Sequence, residues 1–208
     1  ILATKVGMKV GEAPEDENTS PEAIRIQLRR SLVRMRTDYV DVYYLHRYDP
    51  DTEPHAVARA MGEELRAGTI RAWGVSNYTA AQLAALLAAG YGDGRPVPAF
   101  RKRGTCMLNT GALEELLPLC EKEGVGVVPY QLLQGGMLTG KYRRGQEAPA
   151  GSRLAEKPEW MKPFTDETYD VIERCAAEAA AEGVTMTQHA LRWALAQPGV
   201  VSALVGVK

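Results

Sequence analysis

The chain has 208 residues, of which 45% are hydrophobic and 25% charged, with a formal net charge of -1. That length fits one globular domain, or at most two small ones, and the proportions exclude a disordered chain. The near-neutral balance gives no case for nucleic acid or an anionic membrane as partner, and no apolar run approaches the roughly 18 residues of a bilayer span. Three widely spaced cysteines, Cys106, Cys120 and Cys175, do not make a disulfide framework and suit a reducing compartment, the cytoplasm.

The opening ILATKVG reads as a strand entered partway, without a starting Met or a basic and apolar leader. A polar loop follows, and Ser20-Pro21 starts a helix: Ser20 caps it, and Pro21 gives up no intrahelical hydrogen bond at the first position. Ile24, Leu28, Leu32 and Met35 recur at helical spacing and leave the arginines in water. VDVYYLH is too continuously apolar to be half exposed, as strands of a parallel sheet are when helices cover both faces. Next come a helix over 57–67 stopped by Gly68, a strand AWGVSN, a helix AAQLAALLAAG ended by Gly90, and a weak strand at RPVPAF. ALEELLPLCEKEG is a helix and GVGVVPY a strand. A Gly-, Pro- and Lys-rich excursion over 131–163 is too long for a plain connection, and so is a candidate functional loop. Two further helices, TYDVIERCAAEAAAEG and TMTQHALRWALAQPG, precede a closing strand, VSALVGVK.

Six strands alternating with helices predict an α/β fold with a parallel sheet, open or closed into a (β/α)8 barrel. A dinucleotide-binding open sheet announces itself with GxGxxG after an early strand, and none is present. Polar residues instead collect at strand ends: Lys5, His46, Ser76-Asn77 and Tyr130. In a barrel these ends converge on the face where chemistry is done. The barrel is therefore the expected architecture, with residues 1–208 as a single domain.

ATK at 3–5, YLHRYDPDTE at 44–53, GTIRAWGVSNY at 68–78, GVVPYQLLQGGMLTGKY at 126–142 and TMTQHALRWALAQPGVVSALVG at 185–206 together resemble the aldo-keto reductase family, closest to its bacterial and potassium-channel β-subunit branches. The resemblance implies a (β/α)8 barrel with about six of its eight strands present, the first two units and the last helix lying outside this chain. It implies NADPH-dependent reduction of a small-molecule aldehyde or ketone, or alternatively a cofactor-binding regulatory or scaffold subunit with little turnover. Self-association is left open. Lys5 and His46 match two members of the catalytic tetrad. Its Asp and Tyr belong to segments before Ile1, expected in a longer polypeptide. Ser76 and Asn77 match the pair that binds the nicotinamide carboxamide, and Tyr130 the aromatic that stacks on its ring. Leu133, Lys141, Arg153, Gly206 and Lys208 match cofactor contacts, with the lysine and arginine of the long loop meeting phosphates.

The chemistry asked of these residues is general. Carbonyl reduction needs hydride at carbon and a proton or strong hydrogen bond at oxygen as its negative charge develops. A tyrosine is a reluctant acid, and an ammonium such as that of Lys5 stabilises its phenolate form. A histidine fixed at a strand end, such as His46, orients the oxygen or shares the proton. A metal-dependent hydrolase is disfavoured, because His46, His55 and His189 have no compact ligand spacing. One stretch departs from the family pattern. RKRGTCMLNTG puts Lys102 where a glutamine holds the carboxamide, and Thr105-Cys106 where a Tyr-Asn pair stands. Lysine has no acceptor, so it does not reproduce both roles of an amide. Gln131 likewise replaces a serine.

Overall fold

A computed structural model describes the backbone of residues 1–92 and 98–206, with all side chains there except those at 14, 91 and 100–103. Five strands form one sheet in the order β1 (Ala3–Val6), β2 (Val40–Leu45), β3 (Ile70–Ser76), β4 (Phe100–Gly104) and β5 (Gly126–Tyr130). The first four pair in parallel. The helices are α1 (Pro21–Met35), α2 (Pro54–Ala67), α3 (Ala80–Gly92), α4 (Leu116–Lys122), α5 (Arg153–Glu156), α6 (Asp166–Ala181) and α7 (Met186–Leu195). None is long and apolar enough to cross a membrane.

The chain separates into two compact units, one of residues 1–103 and 115–127, the other of residues 104–114 and 128–208. The first is built on β1, β2 and β3, with α1 and α2 packed against them. Ser20 accepts the Ala23 N–H at 3.2 Å and starts α1, and Arg36, at φ 54°, ends it. Ile24, Leu28, Val40, Tyr43, Leu45, Met61, Ile70 and Trp73 are buried there. In the second unit α6 and α7 close over an apolar cluster of Cys106, Met137, Leu138, Tyr142, Ile172, Cys175 and Met186. All three cysteines are free thiols and buried. Burial pushes the Cys106 and Cys175 thiols up, so both stay protonated and inert.

Two expected strands come out differently. The one expected at RPVPAF starts instead at Phe100 and runs through RKRG, and residues 93–97 lie outside the described ones. The closing segment is not a strand over 201–206. Among the described residues one backbone hydrogen bond, Leu204 N–H to Pro129 O at 2.9 Å, ties it to β5, and one bond does not make a ladder. Five strands rather than six are therefore present among the described residues.

Candidate active site

In the first unit the sheet register decides which side chains share a face. The Thr4 hydroxyl lies 3.3 Å from Ser31 Oγ on α1, and the Tyr43 hydroxyl donates to Ile24 O at 3.0 Å on the same helix. Successive strand residues point to opposite faces, so Lys5, Tyr44 and His46 face away from α1. Lys5 sits opposite Tyr44, which sits opposite Gly74. The His46 N–H donates to Val6 O at 2.8 Å, one rung past Lys5. Ser76, two residues beyond Gly74, ends β3 on this same face. Lys5 thus lies one side-chain row below His46 and Ser76 on a shared face, near the C-terminal ends of three neighbouring strands. Ser76 is buried, His46 half buried and Lys5 exposed.

Asn77 follows at φ 61°, the left-handed region that asparagine tolerates better than most residues. That turn aims its amide back: Nδ2 donates to His46 O at 3.0 Å and approaches Ser76 Oγ at 3.3 Å. The pair is therefore tied to the strand end that carries His46. Backbone pairing places Lys102 opposite Ser76, while its side chain lies outside the described ones. Sequence reasoning passed over Tyr44, which shares the face of Lys5 and His46. Burial pushes its hydroxyl up to about 12, so it is a poorer proton donor than an ordinary tyrosine.

The second unit holds the candidate phosphate groups. Gln131, Gln134, Gly135 and Gly136 all have positive φ, and the chain coils tightly after Tyr130. A Cβ at Gly136 would stand 2.5 Å from Lys141 Cε, and one at Gly135 would stand 2.5 Å from Met161 Sδ and 3.5 Å from Arg153 Cδ. Two cationic side chains therefore lie across adjacent glycines. The residues between them are fastened: the Tyr142 hydroxyl accepts the Leu154 N–H at 3.2 Å, and Ser152 caps α5 by accepting the Ala155 N–H at 3.3 Å. Arg144 extends the anchorage to the start of α6, pairing with Asp166, Asp170 and Glu173. Leu133 packs on the apolar cluster. Gly206 is exposed, and Lys208 lies outside the described residues.

The departing stretch folds inward. Cys106 and Asn109 exchange backbone hydrogen bonds at 3.2 and 2.8 Å, and Asn109 Nδ2 donates to Gly104 O at 2.9 Å, closing a tight turn. Cys106 joins the apolar cluster with its sulfur 3.7 Å from Gln134 Oε1. The Thr105 hydroxyl is buried without a hydrogen-bond partner among the described residues. Gly104 admits the Tyr130 ring closely, since a Cβ there would lie 3.5 Å from it.

The model of the aldo/keto reductase family matches residues 1–208. A probable voltage-gated potassium channel subunit beta of Oryza sativa subsp. japonica is 32% identical over 94% of this chain and 61% of its own length. The NADH-specific methylglyoxal reductase of Escherichia coli (strain K12) is 33% identical, over 95% of this chain and 59% of its own. Among solved structures, a glycerol dehydrogenase from Gluconobacter oxydans superimposes with a TM-score of 0.78 at 27% identity, over 97% of this chain and 61% of that one. The chain thus spans about three fifths of the length of these relatives.

Proposed function

The chain belongs to the aldo/keto reductase family, whose fold is the (β/α)8 barrel, and on that basis we propose that it is the larger part of an NADPH-dependent reductase of small aldehydes or ketones. Residues 1–208 form one barrel domain in this reading. The observation that carries it is the alignment of Lys5, His46 and Ser76 on one face at one end of the parallel sheet. Barrel enzymes do their chemistry at that end.

The residues present fit a nicotinamide dinucleotide. Gly135 and Gly136 let the Lys141 and Arg153 side chains lie close against the backbone where any side chain would collide, which brings a point charge and a planar fork to the same place. When bound, the nucleotide supplies the hydride. Ser76 and Asn77 hold its carboxamide, Tyr130 lies against its ring, and Leu133, Lys141, Arg153, Gly206 and Lys208 hold the remainder. His46 hydrogen-bonds the substrate's carbonyl oxygen and fixes its direction. The proton for that oxygen would come from the tyrosine acid of the family tetrad, and Lys5 would place positive charge beside it, stabilising the phenolate as the proton leaves. The free cysteines fit a cytoplasmic location.

Fluorescence titration of the full-length protein with NADPH and NADH tests this reading, followed by nucleotide oxidation with a panel of aldehydes and ketones. Low-micromolar binding and turnover of at least one carbonyl are expected. Binding without turnover favours the alternative, a cofactor-binding regulatory subunit, to which the similarity with proteins named potassium channel β subunits gives weight. Binding of neither nucleotide ends both.

A further inference from the structure

Asp49 stands three residues beyond His46 and has no role in the chemistry above. Its carboxylate accepts four hydrogen bonds. Oδ2 takes the Thr19 N–H at 2.9 Å, the Thr19 hydroxyl at 3.2 Å and the Thr52 hydroxyl at 2.8 Å, and Oδ1 takes the Asp51 N–H at 3.0 Å. The Asp51 and Thr52 bonds are local and close a turn of the Asx kind. The Thr19 bonds span 30 residues and reach the loop between β1 and α1.

Thr19 continues the connection. It is 1% exposed, and its methyl lies against Gly7, where a Cβ would come within 2.7 Å of Thr19 Cγ2. Gly7 follows Lys5 by two residues. A line of contacts therefore runs from Lys5 along the chain to Gly7, across to Thr19 and Asp49, and back along the chain to His46. The third loop is joined as well: the Tyr48 and Tyr78 rings meet edge to face at 5.5 Å, and Asn77 donates to His46 O.

Ladder bonds fix β1 and β2 only as far as the Val6–His46 rung. Beyond that rung the two loops are joined by the Asp49 connection, which ends on the buried Thr19, and by an exposed Arg47–Glu17 ion pair at 2.6 Å, whose contribution in water is small. Partial burial pushes the Asp49 carboxyl up. The bonds from Thr19, Thr52 and Asp51 outweigh that and hold it below the usual aspartate range. It is thus an acceptor-only carboxylate at neutral pH, the state suited to four donors.

We propose that Asp49 is a positioning residue for carbonyl reduction, fastening the loop after Lys5 to the loop after His46 so that the two side chains keep a fixed relation. The proposal rests on the reductase reading. Geometry of this kind matters because a misplacement of about 1 Å costs about 100-fold in rate.

The test uses Asp49→Asn, Thr19→Val and Thr52→Val in the full-length protein. It measures kcat and KM with the best carbonyl substrate, the NADPH dissociation constant by fluorescence, and thermal stability. Asp49→Asn is expected to lower kcat by about tenfold or more while the NADPH constant stays within about threefold. Thr19→Val should lower kcat more than Thr52→Val, since only Thr19 joins two loops. Unchanged kcat in Asp49→Asn overturns the proposal. So does a parallel fall of kcat, NADPH affinity and melting temperature, which marks a purely structural residue. If Asp49→Asn does not fold, the two threonine variants decide, and equal kcat values for them overturn it. A wild-type protein that binds NADPH but turns over no carbonyl sinks the reductase reading itself, a failure visible before any variant is made, and the proposal falls with it.

Discussion

Single residues carry the sharpest consequences. Gly7 combines φ +95° with a close approach to Thr19, so both the backbone and the space exclude a side chain. Gly7→Ala is expected to cost about 1–3 kcal/mol, seen as a lower urea midpoint with an unchanged slope. Arg153 and Lys141 lie across neighbouring glycines, and the planar fork of Arg153 can grip the extra phosphate that separates NADPH from NADH with two parallel hydrogen bonds, where Lys141 offers a point charge. Arg153→Met should weaken NADPH by about tenfold and NADH by less, in paired fluorescence titrations. Equal losses would assign Arg153 to the shared pyrophosphate. The strand-end polar residues were legible in the sequence because apolar runs stop abruptly at them. Asp49 was not. The DPD stretch signals a local turn, yet nothing in the order of residues says that Thr19, far upstream, donates to it. Tyr44 was passed over because its neighbours make it read as one more apolar strand residue.

Elements were legible where capping chemistry is explicit. Ser20-Pro21 marks the start of α1, and Thr185 with Gln188 closes α7's first turn by reciprocal hydrogen bonds. The start of α2 at Pro54 was missed by three residues, because an apolar pattern begins later than the backbone does. α4 is shorter than its Leu-rich sequence suggests, since residues 110–113 close a turn instead. β4 was displaced because β propensity weighs against RKRG, while pairing with β3 decides otherwise. Between α6 and α7 the His189 ring stands between two carboxylates, Nε2 at 3.1 Å from Glu178 and Nδ1 at 3.2 Å from Glu182. His189→Phe keeps a ring in the space but removes both contacts, and should cost about 1 kcal/mol, measured by chemical unfolding followed in this unit.

For the whole molecule, strand and helix alternation made the parallel sheet and barrel family legible, whereas the division into two compact units was not. It reflects which segments pack together, not how they follow one another. Acid stability has a sign that follows from Asp49. Its folded-state carboxyl is held low, so its contribution is fully present above the unfolded aspartate range and is lost as pH falls below it. Asp49→Asn should therefore narrow its deficit to wild type as the pH is lowered from that range down through the depressed folded value, in unfolding measured across an acid series.

The three buried thiols also make the molecule report on its own breathing. Cys120 belongs to the first unit, and Cys106 and Cys175 to the second. A thiol reagent reaches each only when its surroundings open. Labelling followed by peptide mass spectrometry then yields two independent opening rates from one unmodified sample. If Lys141 and Arg153 hold the nucleotide, added NADPH should slow the labelling of Cys106 and Cys175, which share their unit.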